Sequence, residues 1–164
     1  DFYQRELIYT YKALPLIEKE YLMIKVESSI TINQPVETVF AYVTNPETST
    51  KWQSGVDSVE YEGEQSVGSQ YTEVRKFMGR DMRTTLEITQ LEANKLWAAK
   101  TLTGPVPYEV TVTYEAVGGG TKMTTIVEAE PGGFFKLAGG AVKKQLETSM
   151  KEDNQTLKKL LETA

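Results

Sequence analysis

What most constrains this chain is the order of its hydrophobic periods. From Val56 to Glu130, six strand-like segments follow one another with only short turns between them, and one long helical pattern then closes the sequence. "VDSVEYEG" ends at a glycine, and "GSQYTEVRKFMGR" and "DMRTTLEITQLE" flank a turn near Gly79. "KLWAAKTLTG" follows the turn "EAN", and "PYEVTVTYEA" and "TKMTTIVEAE" flank Gly118, Gly119 and Gly120. Parallel strands need a crossover of a dozen or so residues, and these turns are far shorter, so the strands must pair antiparallel. The two glycine turns predict hairpins.

The segments on either side complete the layout. "KVESSITIN", residues 25–33, alternates apolar and polar side chains, which predicts a half-buried strand. Pro35 suits a first helical turn, and Val36, Val39, Phe40 and Val43 form one stripe. Asn45-Pro46 stops that helix, and "PETSTKW" predicts a second, short one. In the last pattern, roughly Gly133 to Leu161, the residues Phe135, Gly139, Val142, Leu146, Met150, Asn154, Leu157 and Leu161 share a face. One helix with one apolar stripe, after a run of strands, predicts an α+β domain with the helix laid across the sheet. Asn154 on that stripe reads either as a satisfied core amide or as a ligand contact.

Composition narrows the chemistry. The 164 residues suit one domain, and a net charge of −5 opposes a nucleic-acid partner, whose phosphates reward basic surfaces. With no cysteine there is no disulfide, thiolate nucleophile or zinc–thiolate site; with no histidine, the commonest general base and metal ligand is missing. No motif asks for a cofactor or a metal, and none is expected. Gly118–Gly120 joins two strands, not a strand and a helix, so it is turn chemistry and not a phosphate cradle. No apolar run approaches the roughly 20 residues that span a bilayer. The N-terminus lacks the pattern of a signal peptide, and a cytoplasmic location is expected.

Residues 1–22 stand apart from the domain expected over 23–164. Met23 opens "MIKVESSITI" like a native start, which makes 1–22 an appended or upstream-encoded extension. The rival reading is a docking helix, and Phe2, Tyr3, Tyr9, Tyr11 and Tyr21 suggest self-association into a homodimer.

Several strands carry aromatic and hydroxyl groups beyond the needs of a solid core. Tyr108, Val110, Val112 and Tyr114 share a face, with Met123, Thr125 and Val127 on the partner strand. Met82, Thr84, Leu86 and Ile88 share another, with Tyr71, Glu73, Arg75 and Phe77 alternating nearby. Aromatics with a few polar groups on one face resemble the lining of an apolar pocket. Arg75 and Glu73 allow two readings. The outward one makes them plain surface charges and is the more ordinary. The inward one makes them a buried pair, costly unless satisfied and often a sign of a site.

The segments "INQPVETVFAYVTNPET" with Trp52, "VGSQY", "TLEITQLEANKLW", "GGGTKMTTIVEAE" and "GGFFKLAGGAVKKQLETSMKEDNQTLKKLLE" together resemble the START/pollen-allergen-like (SRPBCC) superfamily. Within it the chain is most similar to the bacterial polyketide cyclase/dehydrase-type branch, over about residues 24–162. The resemblance implies a helix-grip fold: a curved antiparallel sheet of about seven strands wrapped around the C-terminal helix, with two short helices after the first strand. It also implies a cavity for a lipid, quinone or polyketide-like molecule. The expected lining is Trp52, Tyr71, Arg75, Met82, Leu86, Trp97, Tyr108, Val110, Val112, Tyr114, Phe134, Phe135, Val142 and Leu146. Loose glycines about Phe134 and Phe135 would let them act as a lid, or else merely turn a corner. Three functional readings stay open: a carrier of a small hydrophobic molecule, a cyclase or dehydratase, and a protein-interaction module with a filled interior. The enzyme reading needs an inward charged or phenolic group, and its candidates are Glu73, Arg75, Arg83, Tyr108 and Tyr114.

Overall fold

The computed structural model describes residues 23–130 and 139–163. Seven strands form one antiparallel sheet: β1 (Ile24–Ile32), β2 (Val56–Tyr61), β3 (Gln70–Phe77), β4 (Arg80–Glu92), β5 (Leu96–Thr103), β6 (Tyr108–Val117) and β7 (Gly120–Ala129). Their order across the sheet is β1-β7-β6-β5-β4-β3-β2. The first strand thus pairs with the last, from Ile24 opposite Ala129 to Ile32 opposite Thr121. The second strand lies at the far edge. The chain crosses between the edges through α1 (Val36–Thr44), a 3-10 turn (Pro46–Thr48) and α2 (Ser49–Trp52). This is the helix-grip architecture expected from the sequence.

Turn chemistry sets the register. Met78 and Gly79 both take positive φ between β3 and β4, at 50° and 73°. That matches the twist a two-residue hairpin requires. Gly120 then opens β7 beside the end of β1, where a Cβ would sit 2.7 Å from the Ile32 carbonyl oxygen. Curvature has a local cause in β4: its pairing with β5 shifts register at Thr85/Leu86 and again at Ile88/Gln90. Each such irregularity bends the strand and strengthens its twist.

The long helix α3 (Gly139–Glu162) has 24 residues and is about 36 Å long. It runs closest to β1 and α2 and stands off the middle strands. Its C-terminal end is latched to the β1–α1 corner. Gln34 Nε2 donates to the Leu161 carbonyl at 2.8 Å, and Glu162 Oε1 accepts from the Asn33 amide at 2.6 Å. Lys158 Nζ reaches the Thr31 carbonyl at 2.6 Å. Helix ends carry unpaired carbonyls, so the Gln34 bond satisfies one of them, and all three bonds fix the helix's position.

Two packed clusters bracket the helix. Under its C-terminal half, Leu157 and Leu161 bury against Ile32, Val39, Val112, Tyr114 and Met123. Under its N-terminal half, Val142 packs with Ile24, Val26, Met82, Val106 and Ala129. The expected Asn154 is buried, and its Nδ2 donates to Ser28 Oγ at 2.9 Å, which pins the helix midpoint to β1. The expected helical start at 133–138 lies outside the described residues, as do residues 1–22.

Leu157 is fully buried. Leu157→Ala should cost about 3 kcal/mol of stability, since a buried leucine leaves a cavity when truncated. Lys151→Ala on the exposed face should stay within about 0.5 kcal/mol. Denaturant midpoints of the two variants check both values.

Candidate functional site

Between the two clusters the interior is open. A cavity of about 220 Å³ lies between the sheet and α3. One water needs roughly 10–15 Å³ by this measure, so the space exceeds a single-water void many times over. Among the described residues the interior is not filled, which weighs against the interaction-module reading. Alternation builds the wall: residues 71, 73, 75 and 77 of β3 point inward together, across from inward residues of β4 and β6.

Ten of the expected lining residues form the wall. They are Trp52 at the end of α2, Tyr71 and Arg75 on β3, Met82 on β4 and Trp97 on β5, with Tyr108, Val110 and Val112 on β6, and Val142 and Leu146 on α3. Two do not. Leu86 is fully buried but away from the space, and Tyr114 packs in the lower cluster, edge-on to Phe40 at 5.1 Å. Both are inward residues, so alternation was read correctly. The sheet interior beyond the cavity's ends is simply filled, and periodicity does not report depth along a strand. Phe134 and Phe135, with the lid suggested for them, lie outside the described residues.

The ordinary reading of Arg75 and Glu73 as outward surface charges is overturned. Arg75 pairs with Met82 and Glu73 with Thr84 across β3 and β4, so the charged pair shares the face of two buried side chains. Arg75 Nε donates to Glu73 Oε1 at 2.8 Å, and its Nη2 donates to Glu73 Oε2 at 3.2 Å and to Gln53 Oε1 at 3.0 Å. Tyr108 OH donates to Glu73 Oε1 at 2.8 Å. Glu73 is only 5% exposed, so these bonds are what make its burial tolerable. Arg83 is the opposite case. It is exposed on the outer face, where its guanidinium meets Glu60 Oε2 at 2.8 Å, and it takes no part in the cavity.

The electrostatics of the wall favour neutral phenols and a charged guanidinium. Burial pushes the Tyr108 phenol well above its ordinary range, and the Glu73 carboxylate pushes it further. Burial and then Glu73 do the same to Tyr71. At Arg75 burial works against the charge, but Glu73 and the Tyr108 phenol outweigh it and hold the guanidinium protonated. Burial raises the Asp153 carboxyl, against the opposing pull of the Ser54 amide and Arg75. Its Oδ1 accepts from Ser54 N at 2.8 Å, tying α3 to the turn after α2.

Gln53, Val106 and Asp153 also line the cavity and were not expected from the sequence. Asp153 had a usable signal, since it follows Leu146 and Met150 at helical spacing along the inward stripe. Gln53 had none: its role depends on where a four-residue helix happens to end. Trp52 Nε1, Trp97 Nε1 and Gln65 Oε1 belong to wall residues but are sealed from the space and lack partners among the described residues. Ring packing, such as Trp97 on Tyr71 at 6.2 Å between centroids, holds the wall aromatics instead.

A family model described as polyketide cyclase / dehydrase and lipid transport matches residues 23–162, and the chain belongs to that family. Among solved structures it is similar to the protein TTHA0849 from Thermus thermophilus, with 19% identity, a TM-score of 0.74, and 85% of this chain and 97% of that one covered. A START superfamily protein from Mycobacterium smegmatis gives 14% identity and a TM-score of 0.74, covering 85% and 97%. The Zhui aromatase/cyclase from a Streptomyces species gives 14% identity and 0.68, covering 85% and 94%. At these identities the likeness is one of fold. Among curated proteins none matches the sequence.

Asp153 yields a pH prediction. Its folded-state carboxyl keeps a proton to higher pH than in the unfolded chain, so its contribution to stability falls as pH rises through that interval. Asp153→Asn keeps an acceptor for Ser54 and removes the buried charge. The variant should melt about 1–3 °C above the parent near neutral pH. The gain should fade as the pH falls through the raised folded-state pKa and be gone below about 4, where both states hold the proton. Melting curves across that range check it; a lower melting point at neutral pH, or a gain independent of pH, would refute it.

Proposed function

We propose that this protein binds one small hydrophobic molecule, of lipid, quinone or polyketide-like character, in the cavity between the sheet and α3. The observation that carries the reading is the wall itself. Leu146, Met150, Val110, Val112, Val127 and Trp97 present apolar surface to the space, and polar groups converge at one place, around Arg75. Apolar surface with a few converging polar groups is the usual build of a small-molecule site. Family membership supports the same reading, since its description covers both cyclase chemistry and lipid transport.

The cyclase or dehydratase reading draws on the same cluster, because Arg75 and two phenols face the space. Binding is favoured over chemistry by how those groups are engaged. Glu73 already accepts from Arg75 and Tyr108, and the raised phenols of Tyr71 and Tyr108 stay protonated at neutral pH. A general base needs a pKa matched to the working pH, and neither phenol offers that. The proposal includes a cytoplasmic setting, and self-association through residues 1–22. Light scattering with and without those residues tests the latter, and equal monomer masses would end it.

The neutral apolar dye Nile red is a direct probe. The protein should take up one dye per chain with a blue-shifted emission. Val110→Trp fills the space from the wall and should weaken uptake by about tenfold or more, since affinity here follows buried apolar area. Circular dichroism should report an unchanged fold. No uptake by the parent, or equal uptake by the variant, would overturn the reading.

A further inference from the structure

The cavity's polar centre specifies more than a hydrophobic occupant. Among the described residues its charged wall groups are Arg75, Glu73 and Asp153: one cation against two carboxylates. Glu73 holds Arg75 side-on through Nε and Nη2, so the guanidinium charge is already matched inside the protein. The second Nη2 bond goes to Gln53. That leaves Nη1, which donates to none of the described residues. It is not among the buried polar atoms sealed without a partner, and the Arg75 side chain is 26% exposed while facing the cavity. The Tyr71 hydroxyl, four residues back on the same face of β3, also bonds to none of the described residues and is not sealed. The centre therefore offers hydrogen-bond donors without offering net positive charge.

An entering carboxylate would lose its hydration and meet a guanidinium already paired, with Asp153 on the facing helix. A desolvated charge without a partner is strongly disfavoured, and the like charge adds to it. An ester or ketone oxygen loses far less hydration and can still accept from Nη1. We infer that the ligand's polar end is an uncharged carbonyl-type acceptor received by Arg75, and that Glu73 excludes fatty carboxylates by occupying the guanidinium. This rests on the hydrophobic-ligand reading above and names the class of molecule within it.

Laurate and methyl laurate share a chain and differ in the charge at one end, so competition of each against Nile red measures the selection. The parent protein should bind the ester at least about tenfold more tightly than the carboxylate at neutral pH. Glu73→Gln releases the guanidinium and should strengthen laurate by about tenfold or more, while the ester changes little. The change in ratio between parent and variant removes the ester's general advantage in any apolar site. A double variant, Glu73→Gln with Arg75→Met, keeps the charge balanced and should weaken the ester about tenfold, each competition being referred to that variant's own directly titrated Nile red affinity. Laurate equal to the ester in the parent, or a ratio unmoved by Glu73→Gln, would overturn the inference while leaving the hydrophobic-ligand reading standing. If Nile red itself is not bound, both fall together. The parent comparison stands on its own if a variant does not fold.

Discussion

One helix cannot cover seven strands, and the rest of the structure follows from that mismatch. An α-helix with its side chains is about 10–12 Å across, whereas strands spaced about 4.8 Å apart make a seven-stranded face more than twice as wide. α3 meets the mismatch by packing along β1 and being pinned at its C-terminal end by Gln34, Asn33 and Thr31. α1 and α2 cross the open side because β1 and β2 occupy opposite edges. What remains uncovered, bounded by β3, β5, β6 and the inward stripe of α3, is the cavity. It is a consequence of topology before it is a property of any residue.

Within that space the Arg75–Glu73 pair is the costly element. Well-packed apolar residues in its place would often be as stable or more so, because a buried ion pair must first lose its hydration. Here four hydrogen bonds offset that loss: two between the charges, one from Tyr108 and one to Gln53. A cluster so completed is rigid, and its unused valences are fixed in direction. The apolar wall supplies affinity without orientation, and the cluster supplies orientation at one end.

How much was legible in the sequence depended on whether a feature is local. The strands, both hairpins and the apolar stripe of α3 were read from periodicity and turn residues, because twist and pleat impose those patterns on neighbouring positions. The pairing of Ile24 with Ala129 was not legible from local pattern, because the two residues lie at opposite ends of the chain's strand run. The direction of Arg75 failed for a physical reason. Charged and apolar residues alternate along β3 in either phase, and only the register with β4, Arg75 opposite Met82, selects the inward one. Tyr114 and Leu86 show the reverse limit, since facing inward did not decide between wall and filled core.

The same distinction bears on what the solved relatives can teach. Structures with TM-scores of 0.68–0.74 at 14–19% identity share the frame. Frame residues such as Leu157, Ile32 and Met123 can vary among apolar types and still close that end of the interior. Selectivity sits elsewhere, in which polar side chains face the remaining space and how each is already bonded. A guanidinium alone would attract anions; one bound side-on to Glu73 presents donors without net charge. Two proteins of this fold that both place an arginine in the cavity can therefore favour opposite ligands, according to whether a carboxylate sits two residues before it on the same strand.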